Sequence, residues 1–199
     1  GGLVSKGIVL TKYGHAQKGK LPDRIAVIQA GHPEPDEEGW SAARRILDML
    51  DAAAEKDLVL CLLSGGASSL LVAPCDGITL EDKRLITQLL LKAGANIYEL
   101  NTVRKHLSRV KGGRLAERAY PARVVSLILS DVIGDPLDVI ASGPTAPDST
   151  TYGDALAVIQ KYRLMERAPE GVLNVLRDGI AGAIPETPKQ DNLLFTGVS

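Results

Sequence analysis

Ser64-Gly65-Gly66-Ala67-Ser68-Ser69 is the first group of residues whose types and spacing suit chemistry. Adjacent glycines let a backbone approach an anion closely, and flanking hydroxyls and amide N–H groups can hold phosphate oxygens. The group follows the apolar run Leu58 to Leu63, which reads as a buried parallel strand emptying into a loop. Ligands of open α/β sheets sit beyond the carboxyl ends of strands. The alternative reading is an ordinary strand-to-helix turn.

A second group is basic. Six Arg or Lys and one Glu lie between Arg104 and Arg118, in a chain whose net charge is −1. Val103, Leu107 and Val110 mark the apolar stripe of a helix, and Arg104, Ser108 and Lys111 repeat that spacing on the adjacent stripe. The helix is expected to loosen at Gly112-Gly113. A solvated helix face would interleave both signs, whereas bases without acids beside two glycines suit a polyanion such as a triphosphate. Lys111 and Arg104 are therefore candidates for neutralising charge in catalysis, and Gly112 and Gly113 for nucleotide binding.

A third group ends another apolar run, Val124 to Leu129. Ser130-Asp131, Gly134-Asp135 and Ser142-Gly143-Pro144-Thr145 follow it. Asp131 and Asp138 read equally as turn residues. In the other reading Asp131 and Asp135 hold Mg²⁺, which usually takes one or two carboxylates plus substrate phosphates. Asp135 is the favoured catalytic carboxylate, and Ser142, Gly143 and Thr145 join Ser64, Gly65, Gly66, Ser68 and Ser69 as nucleotide-binding candidates. Glycine loop, basic helix and acidic loop together are the parts of phosphoryl transfer, which is mostly positioning and charge neutralisation.

The elements that position these groups alternate. Ile8 to Thr11 and Ile25 to Ala30 read as strands. Asp36 is placed to cap a helix with Ala43, Ile46, Leu47, Leu50 and Ala54 on one stripe, and Glu37 and Glu38 in its first turn favour its dipole. Thr79-x-x-Asp82 opens a second helix with Leu85, Ile86, Leu89, Leu90 and Ala93 inward and Gly94 as its stop. A helix from about Thr151 to Tyr162 follows, and Val172, Leu173 and Leu176 suggest a short one after it. Leu193 to Val198 reads as a strand. The repeated βα order predicts an α/β fold, a doubly wound Rossmann-like parallel sheet with helices on both faces, in a single domain over 1–199.

Composition narrows the classes. The 199 residues are 45% hydrophobic, enough for a real core. Near-neutral charge and 4% aromatics argue against nucleic acid and membrane partners. Two cysteines, Cys61 and Cys75, form neither a disulfide framework nor a metal cluster, which fits a cytoplasmic setting. Gly14 to Lys20 matches G-x-x-x-x-G-K, but Leu21 cannot ligate Mg²⁺ and Pro22 interrupts the required helix, so it reads as a polar turn. No G-x-G-x-x-G occurs, which counts against a nicotinamide-dependent reductase. His32, in Gly31-His32-Pro33 at a strand end, reads from its residues as a structural hydrogen-bonder sooner than a base.

GHPEPDEEG (31–39), LLSGGASSLL (62–71), NTVRKHLSRVKGGRLA (101–116) and LILSDVIGDPLDVIASGPTAPD (127–148) stand in this order. In that order they resemble the class II glycerate kinases, the glycerate 2-kinases often labelled hydroxypyruvate reductases. The resemblance implies transfer of the γ-phosphate of ATP to D-glycerate, giving 2-phosphoglycerate, with a divalent cation. Ala67 and Ser69 depart from that family's usual SGGGSALL loop. The resemblance also implies that the chain is a partial segment, lacking a preceding lysine-bearing helical region and a following domain. The alternatives are a hydroxypyruvate reductase and a non-catalytic nucleotide- or anion-binding fragment, and homo-oligomerisation stays open.

Overall fold

The computed structural model describes residues 3–16, 21–130 and 134–195. Four strands form two parallel pairs. β1 (Gly7–Lys12) pairs with β2 (Ile25–Ala30), with Val9 opposite Val27. β3 (Leu58–Leu63) pairs with β4 (Arg123–Ile128), with Leu60 opposite Val125 and Leu62 opposite Leu127. The fold is thus mixed α/β with parallel strands in two small sheets, where the sequence predicts one sheet. The polar-turn reading of 14–20 lies partly outside the described residues, since 17–20 are not among them.

Helix boundaries follow local chemistry. α1 (Glu37–Asp51) starts where the Asp36 carboxylate accepts the Gly39 amide. After one short turn, α2 (Ala67–Leu70), come α3 (Leu80–Lys92), opened by the Thr79/Asp82 capping box, and α4 (Ile97–His106), opened by an Asn96/Glu99 box. α5 (Arg114–Ala119), α6 (Tyr152–Lys161), capped by Thr151 and Asp154, and α7 (Glu170–Ile180) complete the helices.

Two cores result. Ile86, Leu90, Val103, Ile159, Val172 and Leu176 lock α3, α4, α6 and α7 together. Ala43, Leu47, Leu50, Leu115 and Ala119 bring α1 and α5 onto the inner face of the strands, against Val59, Cys61 and Val124. The outer face of β3–β4 is uncovered. Leu58, Leu60, Leu62, Val125, Leu127 and Leu129 are all exposed there, Leu129 by 75%. β3 is therefore covered on one face only, contrary to the reading of a strand buried on both.

Three further expectations are corrected. Leu85 is 41% exposed and Ala93 is also exposed, so the inward stripe of α3 is narrower than its apolar residues suggest. The basic helix stops at His106. Residues 107–110 leave it to meet 73–75, where the Cys75 amide donates to Leu107 O, the Arg109 amide to Ala73 O, and Ser108 Oγ to Ala73 O. The apolar stripe still reaches the core, because Val103, Leu107 and Val110 are all buried. Of the strand expected over Leu193 to Val198, Leu193–Phe195 is a 3₁₀ turn, and 196–198 lie outside the described residues.

Candidate active site

The carboxyl ends of β3 and β4 lie side by side, since the Leu129 amide donates to Leu63 O. The loops after them therefore share one edge. Asp131 lies outside the described residues. The Ser64–Ser69 loop folds on itself: the Ala67 amide donates to Ser64 O, and both the amide and the hydroxyl of Ser69 donate to Gly66 O. Among the described residues, the amides of Gly65, Gly66 and Ser68 meet no acceptor.

Ser68 is the meeting point of the site. Its carbonyl accepts Lys111 Nζ at 2.8 Å and Arg104 Nη2 at 3.1 Å. Its hydroxyl accepts Lys111 Nζ at 3.1 Å and lies 2.8 Å from Ser142 Oγ. Ser142 Oγ donates to Asn101 Oδ1 at 2.9 Å, which sets the polarity of the chain: Lys111 to Ser68, Ser68 to Ser142, Ser142 to Asn101. Sequence reasoning missed Asn101, whose place one helical turn before Lys105 gave no separate signal.

Lys111 is 1% exposed, and among the described residues neither it nor Arg104 pairs with a carboxylate. Burial, with Arg104 and Lys83 nearby, holds the Lys111 ammonium well below the usual lysine value. Lys83 is also buried, donating to Leu107 O at 2.9 Å, and burial pushes it down to about 7. Burial likewise lowers Arg104.

The 140–143 turn is strained and heavily fastened. Ala141, Ser142 and Gly143 have φ of +54°, +63° and +60°. Such geometry persists for non-glycine residues only where neighbours over-determine it. Here Lys111 Nζ reaches Ala141 O at 3.4 Å, and the Ser142 hydroxyl is held on both sides. The amides of Gly112 and Gly113 donate to Ser142 O at 3.0 Å and Gly143 O at 2.7 Å. The two predicted nucleotide-binding glycines thus spend their amides on the neighbouring loop. A Cβ on Gly113 would lie 3.0 Å from Ala146 O, so the close approach requires glycine. Thr145 Oγ1 is 2.7 Å from Ser126 Oγ on β4. Asp135 is exposed, follows Gly134, and has φ of +49°. Its carboxylate has no hydrogen-bond partner among the described residues, so it is free to meet a cation.

A second polar centre was not foreseen. Lys105 Nζ lies 3.2 Å from both Asp138 Oδ2 and the fully buried Asp148 Oδ1. Burial alone would raise the Asp148 carboxyl, but Lys105 and the Thr150 hydroxyl and amide hold it below its usual value. His106 sits between Thr102 O and Glu186 Oε1, and Thr187 Oγ1 donates to Asp148 Oδ2. The signal available was Asp148 itself, closing the fourth motif. A separate cleft lined by Lys6, Asp23, Arg24 and Arg45 lies at the amino ends of β1 and β2, away from this edge.

The chain is similar to the D-glycerate 2-kinase of Thermotoga maritima, 56% identical over 162 residues, which cover 81% of this chain and 38% of that protein. It is 49% identical to the glycerate 2-kinase of Pyrococcus horikoshii, covering 94% of this chain and 42% of that one. A protein of Agrobacterium vitis named putative hydroxypyruvate reductase is 50% identical over 92% of this chain. The crystal structure of glycerate kinase from Thermotoga maritima superposes with a TM-score of 0.84 at 52% identity, covering 92% of this chain and 42% of that one. The chain spans about two fifths of the length of the glycerate 2-kinases it matches. The model described as "Domain of unknown function (DUF4147)" matches residues 2–177, and the chain belongs to that family.

Proposed function

We propose that this chain carries the phosphate-binding part of a glycerate kinase, which transfers the γ-phosphate of ATP to D-glycerate and gives 2-phosphoglycerate. One observation carries the reading: two cations, Lys111 and Arg104, converge on Ser68 beside three amides that, among the described residues, meet no acceptor, and among those residues no carboxylate compensates the two cations. Burying charge without a partner is costly, so the arrangement is what a site kept for an anion requires. The relatives named glycerate 2-kinase supply the substrate.

In the reaction the glycerate hydroxyl oxygen bonds to the γ-phosphorus, the bond to the β,γ-bridging oxygen breaks, ADP leaves, and the hydroxyl proton is released to solvent. Lys111 and Arg104 neutralise charge on the transferring group, and Ser64, Gly65, Gly66, Ser68 and Ser69 position it. Asp135, with Asp131, supplies carboxylates of the kind Mg²⁺ takes alongside phosphate oxygens, and the cation would add further charge neutralisation. The two parallel strand pairs read as parts of one doubly wound Rossmann-like sheet. Among the described residues no helix is long and apolar enough to cross a membrane, and Cys61 and Cys75 are free thiols, which supports a cytoplasmic setting.

The hydroxypyruvate reductase reading draws only on names such as that of the Agrobacterium vitis relative. Isothermal titration of the chain with Mg-ATP and with NADH separates the two: binding of Mg-ATP alone is expected, and binding of NADH alone refutes the kinase reading. Phosphorus NMR of the parent polypeptide's product then distinguishes 2-phosphoglycerate from 3-phosphoglycerate.

A further inference from the structure

The residues after β2 are fastened as firmly as the strand itself. The Gly31 amide donates to Asp36 Oδ2 at 2.8 Å, and Tyr13 OH donates to the same oxygen at 2.8 Å. The Gly39 amide donates to Asp36 Oδ1 at 2.9 Å, and Arg84 Nε donates to Pro35 O at 2.8 Å. A Cβ on Gly31 would lie 2.6 Å from Glu34 O, so the turn is tight as well as tethered. His32 is the first side chain this loop presents beyond the end of β2.

Its ring lies on the glycine loop of β3. A Cβ on Gly66 would be 2.8 Å from His32 Nε2 and 3.0 Å from Cδ2. The absence of a side chain at 66 therefore admits the imidazole, and the atom it admits most closely is a nitrogen. The ring is exposed, and among the described residues neither nitrogen has a hydrogen-bond partner. Two residues further along the loop, Lys111 and Arg104 converge on Ser68 from the opposite segment of the chain.

We propose that His32 is a phosphate-contacting side chain, closing the glycine loop from the β2 side onto the terminal phosphates of a nucleoside triphosphate. The proposal rests on the kinase reading of that loop. It adds a third strand end to the site and makes the phosphates gripped from two directions, by His32 at Gly66 and by Lys111 and Arg104 at Ser68.

The test is a titration of the chain with sodium tripolyphosphate at fixed pH and ionic strength, followed by NMR. The chain has three histidines, so ring signals are few. The His32→Gln variant assigns the His32 pair by its loss. The amides of Gly65, Gly66 and Ser68 and the ring of His32 should shift with one common Kd. The ring of His106, buried between Thr102 and Glu186, should stay still. His32→Phe should weaken binding at least about tenfold, the loss of one hydrogen bond to a charged group, while His32→Gln keeps a donor and loses less. Saturating amides with an unmoved His32 ring, or parent affinity in His32→Phe, overturns the role of His32 and leaves the kinase reading standing. Unmoved amides remove the kinase reading of the loop and the His32 proposal with it. The ring shifts are read in the parent chain, and unchanged amide signals elsewhere in His32→Gln show that the variant used for assignment is folded.

Discussion

Lys105 and Lys111 stand six residues apart, both almost fully buried, and their surroundings are opposite. Lys105 is met by two carboxylates, Asp138 and Asp148, each at 3.2 Å, inside a network that reaches Glu186 and Thr187. Lys111 is met by carbonyls and one hydroxyl, with other cations as its charged neighbours. Identical side chains thus mark two kinds of region. One is electrically closed and structural, tying the 138–148 segment and residues 186–187 to the end of α4. The other is electrically open among the described residues, which is what the proposed anion site requires. The basic run between Arg104 and Arg118 looked uniform, but distant acids divide it: Arg109 faces Asp76 and Arg118 faces Asp51, whereas among the described residues Arg104, Lys111 and Arg114 meet no carboxylate, and Arg114 donates instead to Tyr152 OH and Pro185 O, away from Ser68.

The comparison breaks if the two lysines respond alike to removal. Lys105→Met strands Asp148, which is 0% exposed, without its cation, and should cost about 3–5 kcal/mol of stability in urea denaturation. Lys111→Met deletes a desolvated charge together with its hydrogen bonds, so stability should change by less than about 1 kcal/mol. Tripolyphosphate affinity should respond in the reverse order, falling at least about tenfold in Lys111→Met. Equal losses of stability in the two variants would erase the distinction between closed and open regions.

Proton linkage sharpens the contrast. Burial places the Lys111 pKa well below its unfolded value, and a bound anion favours the charged form. Binding should therefore take up a proton, and affinity should fall as pH rises. Lys111→Arg keeps its charge at every working pH and should remove that portion of the dependence, as calorimetry in buffers of different ionisation heat would show. Lys83 gives the matching signal in stability. Its folded value is about 7 against a reference of 10.5, so between them the unfolded chain binds more protons and stability rises with pH. The slope attributable to this one group is about 1.4 kcal/mol per pH unit at most, and Lys83→Met should flatten it. Asp148 works in the other direction: its pKa is depressed, so the stability it contributes is lost as pH falls through its folded value.

What the sequence made legible was local. Ile25–Ala30 and Leu58–Leu63 are strands at the boundaries their apolar runs indicate, because glycines follow both. The caps at Asp36 and Thr79 use side chains three residues from the groups they satisfy. What stayed hidden depends on distant partners. Lys111 leaves the helical stripe because residues 107–110 turn to meet Ala73 and Cys75, more than thirty positions earlier. Gly112 and Gly113 read as phosphate ligands, but the carbonyls of Ser142 and Gly143, about thirty positions later, occupy their amides. Lys105 could not be told from Lys111, because its acids lie 33 and 43 residues away. In the same way, the outward leucines of β3 read as buried because periodicity reports apolarity and says nothing of what lies opposite.

The smallest expected effect tests the seam between the two regions. Ala141 has φ of +54° in the turn that carries Ser142 to Ser68, and its carbonyl is one of the acceptors of Lys111. A non-glycine residue pays roughly 1 kcal/mol or more for that backbone region, and glycine pays nothing there sterically. Glycine also loses more backbone freedom on folding, by roughly 0.5–1 kcal/mol relative to alanine. The two terms nearly cancel, so Ala141→Gly should shift stability by only a few tenths of a kcal/mol, in the stabilising direction if strain is the larger. Its effect on tripolyphosphate binding should then be slight, because the Lys111–Ser68–Ser142–Asn101 chain holds the turn independently of residue 141. A large loss of affinity with stability unchanged would mean that Ala141 itself sets the position of Lys111, and that the open region is held by backbone strain rather than by its hydrogen-bonded chain.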